Sequence, residues 1–297
     1  MKEKKEKKIS KKALIVVTII LVLTIVASLF LILNKSSNTN SEEKNNIEEK
    51  KKEQITPLMY EITKEDSDNK IYLFGSIHLA NSKEFDYPDY LINAYDNSDY
   101  LAVEVDMKKL MDNPDFAQRE VLNMLLSDGT TIKDHISEDT YNKLVEYLKS
   151  KKIYNEALES YNTYFFSELL SELLYQQIGL NANEGVDLHF LNEAYNDKKE
   201  VLEVETYEFQ SNLLNSFPDR VNELSIISFL NNPDKQAESL RKLYSAWKKG
   251  NPKEIEQVIL DDSFDEGIDY TEDDIKLIDD YNQKLIINRN RGMKDKL

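Results

Sequence analysis

The chain has 297 residues, a net charge of −17, three histidines and no cysteine. That length suits one large domain or two small ones. The composition excludes disulfides and thiolate metal ligands, and the acidity argues against a nucleic-acid-binding surface.

Residues 1–12, MKEKKEKKISKK, hold seven Lys and two Glu, a net of +5. Residues 13–33, ALIVVTIILVLTIVASLFLIL, run for 21 residues without a charge, Gly or Pro. At about 1.5 Å per residue this run spans a hydrocarbon core of about 30 Å. A secretory signal has an apolar region of about 7–15 residues before a small-residue cleavage site. Here the run is longer, and Asn34 to Ser37 make no such site. The reading is an uncleaved transmembrane helix, with a cleaved signal as the alternative. Positive flanks stay cytoplasmic. The N-terminus is therefore expected inside a single-pass cell-membrane protein, with the bulk of the chain outside. Residues 34–54, with five Lys and five Glu among Ser and Asn, read as a polar tether. Taking the +5 of the tail from −17 leaves −22 for residues 55–297. Such a domain is long enough for a sizeable core and too acidic for a second, electrostatic membrane contact.

In chain order, Pro57–Thr63 and Lys70–Phe74 read as strands joined by the polar turn KEDSDN. Tyr87–Ser98 reads as a short helix and Tyr100–Val105, YLAVEV, as a buried strand. Met107–Ser127 has helical apolar spacing and stops at Asp128-Gly129. Ser137–Lys151 opens with an N-cap and two acids. Ala157–Ile178 is helical, with Gly179 as its terminator. Leu188–Asn196 follows Asp187 as an N-cap, and Lys199–Val204 is a further β-rich run. Helices fill the remainder from Thr206, among them Lys235–Lys249, closed by Gly250-Asn251-Pro252. Short strands among long helices indicate a mixed α/β (α+β) domain.

The polar candidates lie on or just after the β-rich runs. His78 follows the second, Glu104 lies within YLAVEVD, and Glu205 ends VLEVE. A carboxylate among Val and Leu is costly to bury unless paired or bound to a metal. Imidazole with carboxylates and no thiolate suits Zn, Mn, Fe or Co, which could activate a water for hydrolysis. Each residue also has a plainer reading: His78 as a hydrogen-bonded rim residue, Glu104 and Glu205 as strand ends facing water. Asp187 reads most simply as a helix N-cap. His189 reads as a packing residue, His135 as an ordinary loop residue and Trp247 as the anchor of a helix end. There is no P-loop, dinucleotide fingerprint, HExxH or GxSxG.

Together the stretches MYEIT, NKIYLFGSIHLA, DYLAVEVD, DGTTIKDHISEDTYNKL, NEGVDLHFLNEAYNDKKEVLEVETYEFQSNLLNSFP, SAWKKGNPKEIEQVI and INRNRGM resemble the TraB/PrgY/GumN family, to which the Tiki metalloproteases are similar. They follow in the family's order from about Pro57 onward. The resemblance implies helices around a central β-sheet. It maps the family's Gly-x-x-His onto Gly75 and His78 and its acidic strand residue onto Glu104. Gly185, Asp187 and Glu205 fall in its most recognisable stretch, and Arg289 and Asn290 match its Arg-Asn. It implies a divalent metal (Mn, Co or Zn) held by His78 and Glu104, with Glu104, Glu205 and Arg289 as catalytic residues. It also implies a peptide substrate, or a pheromone-shutdown role by cleavage or by sequestration. The family pattern continues into a strand and a second Gly-x-x-His. Here only Gly75 has a His three residues on, so half of that pair is present. Either a truncated chain or a non-catalytic member would account for it.

Overall fold

The structure is a computed structural model that describes residues 52–260 and 268–296. The basic tail, the apolar run 13–33 and nearly all of the tether lie outside the described residues. Among the described residues no helix is long and apolar enough to cross a membrane.

The elements are, in order, β1 (Glu53–Gln54), β2 (Met59–Thr63), β3 (Lys70–Phe74), β4 (Phe85–Asp86), α1 (Asp89–Asp96), β5 (Tyr100–Val103), α2 (Met107–Met111), α3 (Phe116–Met124) and α4 (Glu138–Ser150). They continue with α5 (Thr163–Ile178), α6 (Val186–Asp197), β6 (Glu200–Glu203), α7 (Tyr207–Asn215), α8 (Asp219–Asn231), α9 (Pro233–Lys249), α10 (Pro252–Leu260), α11 (Glu272–Asn282), a π-helical stretch Gln283–Asn288 and α12 (Arg289–Lys294). The mixed α/β class stands, and the chain is mainly helical.

The expected central sheet is not what holds the core. The described strands pair two at a time: β1 with β4, β2 with β3, and β5 with β6. Helix α5 takes the central place instead. Eleven of its residues are buried, from Thr163 to Tyr175, and it packs on α8 and α9. A helix apolar on most of its circumference can only sit inside.

Two expected helices are each broken. Met107–Ser127 is interrupted between α2 and α3, where Pro114 removes a backbone donor. Ala157–Ile178 becomes a 3-10 turn over Glu156–Ser160 and then α5, because the Asn162 side chain accepts from the Phe165 amide and restarts the helix. Gly179 ends α5 at a φ of 78°. Gly250 ends α9 at 63°, and a Cβ there would lie 2.0 Å from the Thr56 carbonyl.

His135 is more than a loop residue. Its Nδ1 lies 2.7 Å from Asp219 Oδ2 and its Nε2 2.7 Å from the Thr130 hydroxyl. The ring thereby ties the loop before α4 to the start of α8. Trp247 donates its indole N–H to the Gly75 carbonyl at 2.7 Å, which anchors α9 to the end of the hairpin.

Helix α5 also buries Glu168 and Glu172, one turn apart. Oε2 of each has no hydrogen-bond partner among the described residues. Burial first, and then the neighbouring charge of Glu172, pushes Glu168 from 4.5 up to about 8. The folded protein keeps that proton where the unfolded chain loses it. Stability therefore falls as pH rises through the window from 4.5 to about 8. Glu168→Gln is expected to raise the melting temperature by several degrees at about pH 8.5 and to leave it nearly unchanged at about pH 5. Thermal denaturation of the full-length chain across this range reads the effect. Superimposable pH profiles for the two proteins would refute it.

Candidate functional site

The site begins with the segment after β3. Ile77 and Leu79 are buried, at 4% and 0% exposure, and pull the backbone inward on either side of His78. Residues 181–186 clamp the segment from outside. Ala80 and Asn181 exchange backbone hydrogen bonds of 3.2 and 2.9 Å, and the Val186 amide donates to the Ile77 carbonyl at 2.9 Å. The clamp closes this tightly because residue 185 is glycine. A Cβ there would lie 2.3 Å from the His78 carbonyl oxygen. Gly75 has no such steric role, since a Cβ there would meet only the Leu58 carbonyl at 3.7 Å.

Gly185, not Asp187, is the N-cap of α6. Asp187 lies in the first turn, where the helix dipole favours a carboxylate, and its side chain turns to His78. Nδ1 of His78 is 2.5 Å from Asp187 Oδ2. Burial works against a charged imidazole, but the charge and hydrogen bond of Asp187 outweigh it, with help from Glu104. His78 is raised to about 9. Asp187 is lowered despite its own burial, by His78 and by the Ser76 hydroxyl. The pair is ionic at neutral pH.

Glu104 and Glu205 arrive by a separate route. The parallel register sets Val103 opposite Glu203. The ladder runs on past the strand ends, with the Glu205 amide donating to the Glu104 carbonyl at 2.8 Å. Two carboxylates at the ends of adjacent strands repel each other unless a cation lies between them. Arg289 fills that place. Its Nη2 is 2.7 Å from Glu104 Oε2 and 2.6 Å from Glu205 Oε2, and its Nε is 3.0 Å from the latter. Gln210, on α7, donates to both carboxylates, at 3.1 and 2.9 Å. Arg289 is 4% exposed and Glu205 5%. Arg289 follows the π-helical stretch, whose wider turn shifts the face that the next residues present. Its neighbour Asn290 is exposed and takes no part in this network.

The two groups meet at one cavity of about 60 Å³, bordered by His78, Glu104, Asp187, Glu120, Tyr207 and Gln210. That is room for a few water molecules. Glu104 is the more open of the two strand-end carboxylates, with 29% of its side chain exposed against 5% for Glu205. Glu120 escaped the sequence reading. It is buried on α3, accepts from the Asn123 amide at 3.2 Å, and is pushed up by its burial. Gln210 was also missed; its only signal is that it sits five residues after Glu205, where a helix begins. His189 lies apart, with its ring stacked on Tyr87 at 4.4 Å between centroids.

Two groups match a divalent ion in kind, the Nε2 of His78 and the Glu104 carboxylate, but the imidazolium that Asp187 stabilises carries a proton on Nε2, which a metal would first have to displace. A carboxylate behind a ligating imidazole is the usual supporting arrangement. Among the described residues no three His, Asp or Glu side chains converge as a metal set, and the Arg289 charge competes with a cation for Glu104.

The fold is mainly helical with short strand pairs, and its cavity is bordered by a His-Asp pair and by one member of an Arg-bridged glutamate pair. The profile of the TraB/PrgY/gumN family matches residues 58–297, and the chain belongs to that family. Among curated proteins it is similar to the uncharacterized protein YbaP of Escherichia coli K12, at 25% identity over 197 residues, which is 66% of this chain and 70% of YbaP. YbaP of Shigella flexneri matches to the same extent. No solved structure matches.

Removing Arg289 leaves the buried Glu205 carboxylate facing the partly buried Glu104 with no cation between them. Arg289→Met is expected to cost about 3–5 kcal/mol at neutral pH, with the loss shrinking in acid as the carboxylates take up protons. Denaturant unfolding at two pH values measures this. A pH-independent loss would mean that packing, not charge, is what the arginine supplies.

Proposed function

We propose that this protein is a membrane-anchored, extracytoplasmic hydrolase acting on peptides at the His78 cavity. The observation that carries the reading is the His78–Asp187 pair, 2.5 Å apart, opening on the same cavity as Glu104. The apolar run 13–33 behind a basic tail supports the anchor and its orientation. The acidity of residues 55–297 argues against nucleic acid as a partner.

In this reading Asp187 orients the imidazole and His78 exchanges a proton with substrate at Nε2. Glu104 is the base for an attacking water. Its Oε2 is held by Arg289 and Gln210, which leaves Oε1 for the water. Glu205 and Arg289 are positioning residues: they hold the Glu104 carboxylate fixed at the strand end. A divalent ion (Mn, Co or Zn) would be held by His78 and Glu104, where it would polarise a carbonyl or acidify a water. Peptide capture without turnover is the second reading. It is favoured by one observation, that Arg289 already engages both carboxylates.

The test uses the full-length chain in nanodiscs with a peptide pool, added Mn or Co, and then chelator. Cleavage that the chelator abolishes and that His78→Ala lowers by at least about a hundredfold is expected. Retained peptide binding without cleavage would replace hydrolysis by capture.

A further inference from the structure

The β2–β3 hairpin holds large apolar side chains in water. Tyr60 is 55% exposed, Ile62 49%, Ile71 44% and Leu73 49%. The register sets Tyr60 opposite Leu73 and Ile62 opposite Ile71. Residues two apart share a face, so the four make one patch. The opposite face is differently built. Met59 and Phe74 pack on the core at the hairpin's base, and Glu61 pairs with Lys70 at 3.0 Å. A two-stranded hairpin alone is marginal in water and gains from a further layer or strand. An exposed apolar patch of this kind marks a binding surface.

We propose that this face docks an extended peptide that is apolar at alternate positions and carries no net negative charge, and that it guides that peptide to the His78 cavity. The proposal rests on the peptide reading above and names its docking surface. Charge selects the occupant. The hairpin turn carries Glu65, Asp66 and Asp68 against Lys64, within a domain of net −22. A second copy of the chain, or an anionic bilayer surface, would be repelled there, whereas a neutral or basic peptide would not. Geometry selects its shape. Side chains at alternate positions of an extended strand fall on one face, as the patch requires. Continuity with the cavity follows from the chain itself. β3 ends at Phe74, and His78 is four residues on. At about 3.3 Å per residue Leu73 lies no more than about 17 Å of chain from His78 and Ile71 no more than about 23 Å, within reach of a short peptide. Tyr100 on β5 and Leu202 on β6, the strands leading to Glu104 and Glu205, are also exposed, at 53% and 42%.

The experiment uses the full-length chain in phosphatidylcholine nanodiscs. Three synthetic peptides serve as probes: alternating Val and Thr with Lys flanks, the same core with Glu flanks, and a version with Pro at alternate positions. Binding is read by fluorescence anisotropy, and hydrogen exchange is followed over residues 59–74. The Lys-flanked peptide is expected to bind at least about tenfold more tightly than the other two and to protect the hairpin. The variants Ile62→Thr/Ile71→Thr and Tyr60→Thr/Leu73→Thr keep β-forming residues at exposed positions, and each is expected to weaken binding by at least about tenfold. Unchanged binding in both variants would overturn the proposal. So would a wild-type dimer, seen by sedimentation, that either variant dissociates, or hairpin protection that needs lipid and not peptide. Binding at the hairpin without cleavage would remove the hydrolase reading and leave the docking surface. Cleavage with unchanged KM in both variants would remove the docking surface and leave the hydrolase.

Discussion

A single guanidinium decides how the two halves of the site can coexist. Parallel pairing of β5 with β6 brings Glu104 and Glu205 together at the strand ends. Side by side and largely out of water, those carboxylates would repel each other and drive one to take up a proton. Arg289 comes from almost the far end of the sequence to lie between them, bonding to both. A buried ion pair of this kind is weak evidence of net stability. What it supplies is position: it fixes where the strand pair ends, where α12 sits and which way Glu104 points.

With that constraint met, the cavity has two differently charged walls. On one side His78 is ionic with Asp187, held there by the Gly185 contact and by the backbone clamp of residues 181–186. On the other, Glu104 is tied by one oxygen. Glu120 and Tyr207 close the space from the helical side. The cavity therefore sets an imidazolium, whose Nε2–H has no protein partner among the described residues, beside a carboxylate with one uncommitted oxygen. Proton donation to a small polar group needs that pairing, whereas a metal shell would need the Nε2 proton displaced first.

The sequence shows much of this and misses the rest for identifiable reasons. β2, β3, β5 and β6 all fall within the expected runs, because β-rich stretches bounded by polar turns are a local signal. The helix breaks at Pro114 and Asn162 were legible in principle; apolar periodicity alone ran through them. That the described strands pair only two at a time, in place of the expected central sheet, was not legible, since strand partnership is a tertiary property. Asp187 looked like a cap because an Asp before an apolar run usually is one. Its bond to His78, 109 residues away in sequence, is tertiary. Glu120 and Gln210 sit on ordinary amphipathic helices, where nothing local separates a site residue from a surface one. Arg289 stood out only through the family resemblance and Glu205 also as a carboxylate at the end of a β-rich run, but neither signal could say that they bind each other.

The most direct measurement is the titration of His78 followed through its imidazole C–H signals by NMR, in the wild-type chain and in Asp187→Asn and Glu104→Gln. If the cavity is one electrostatic unit, His78 titrates at about 9 in the wild type. It then falls steeply in Asp187→Asn, and by less in Glu104→Gln. A wild-type value near the ordinary 6.5 that neither substitution moves would contradict the account, because it would mean that His78 faces water and shares no site with the two carboxylates.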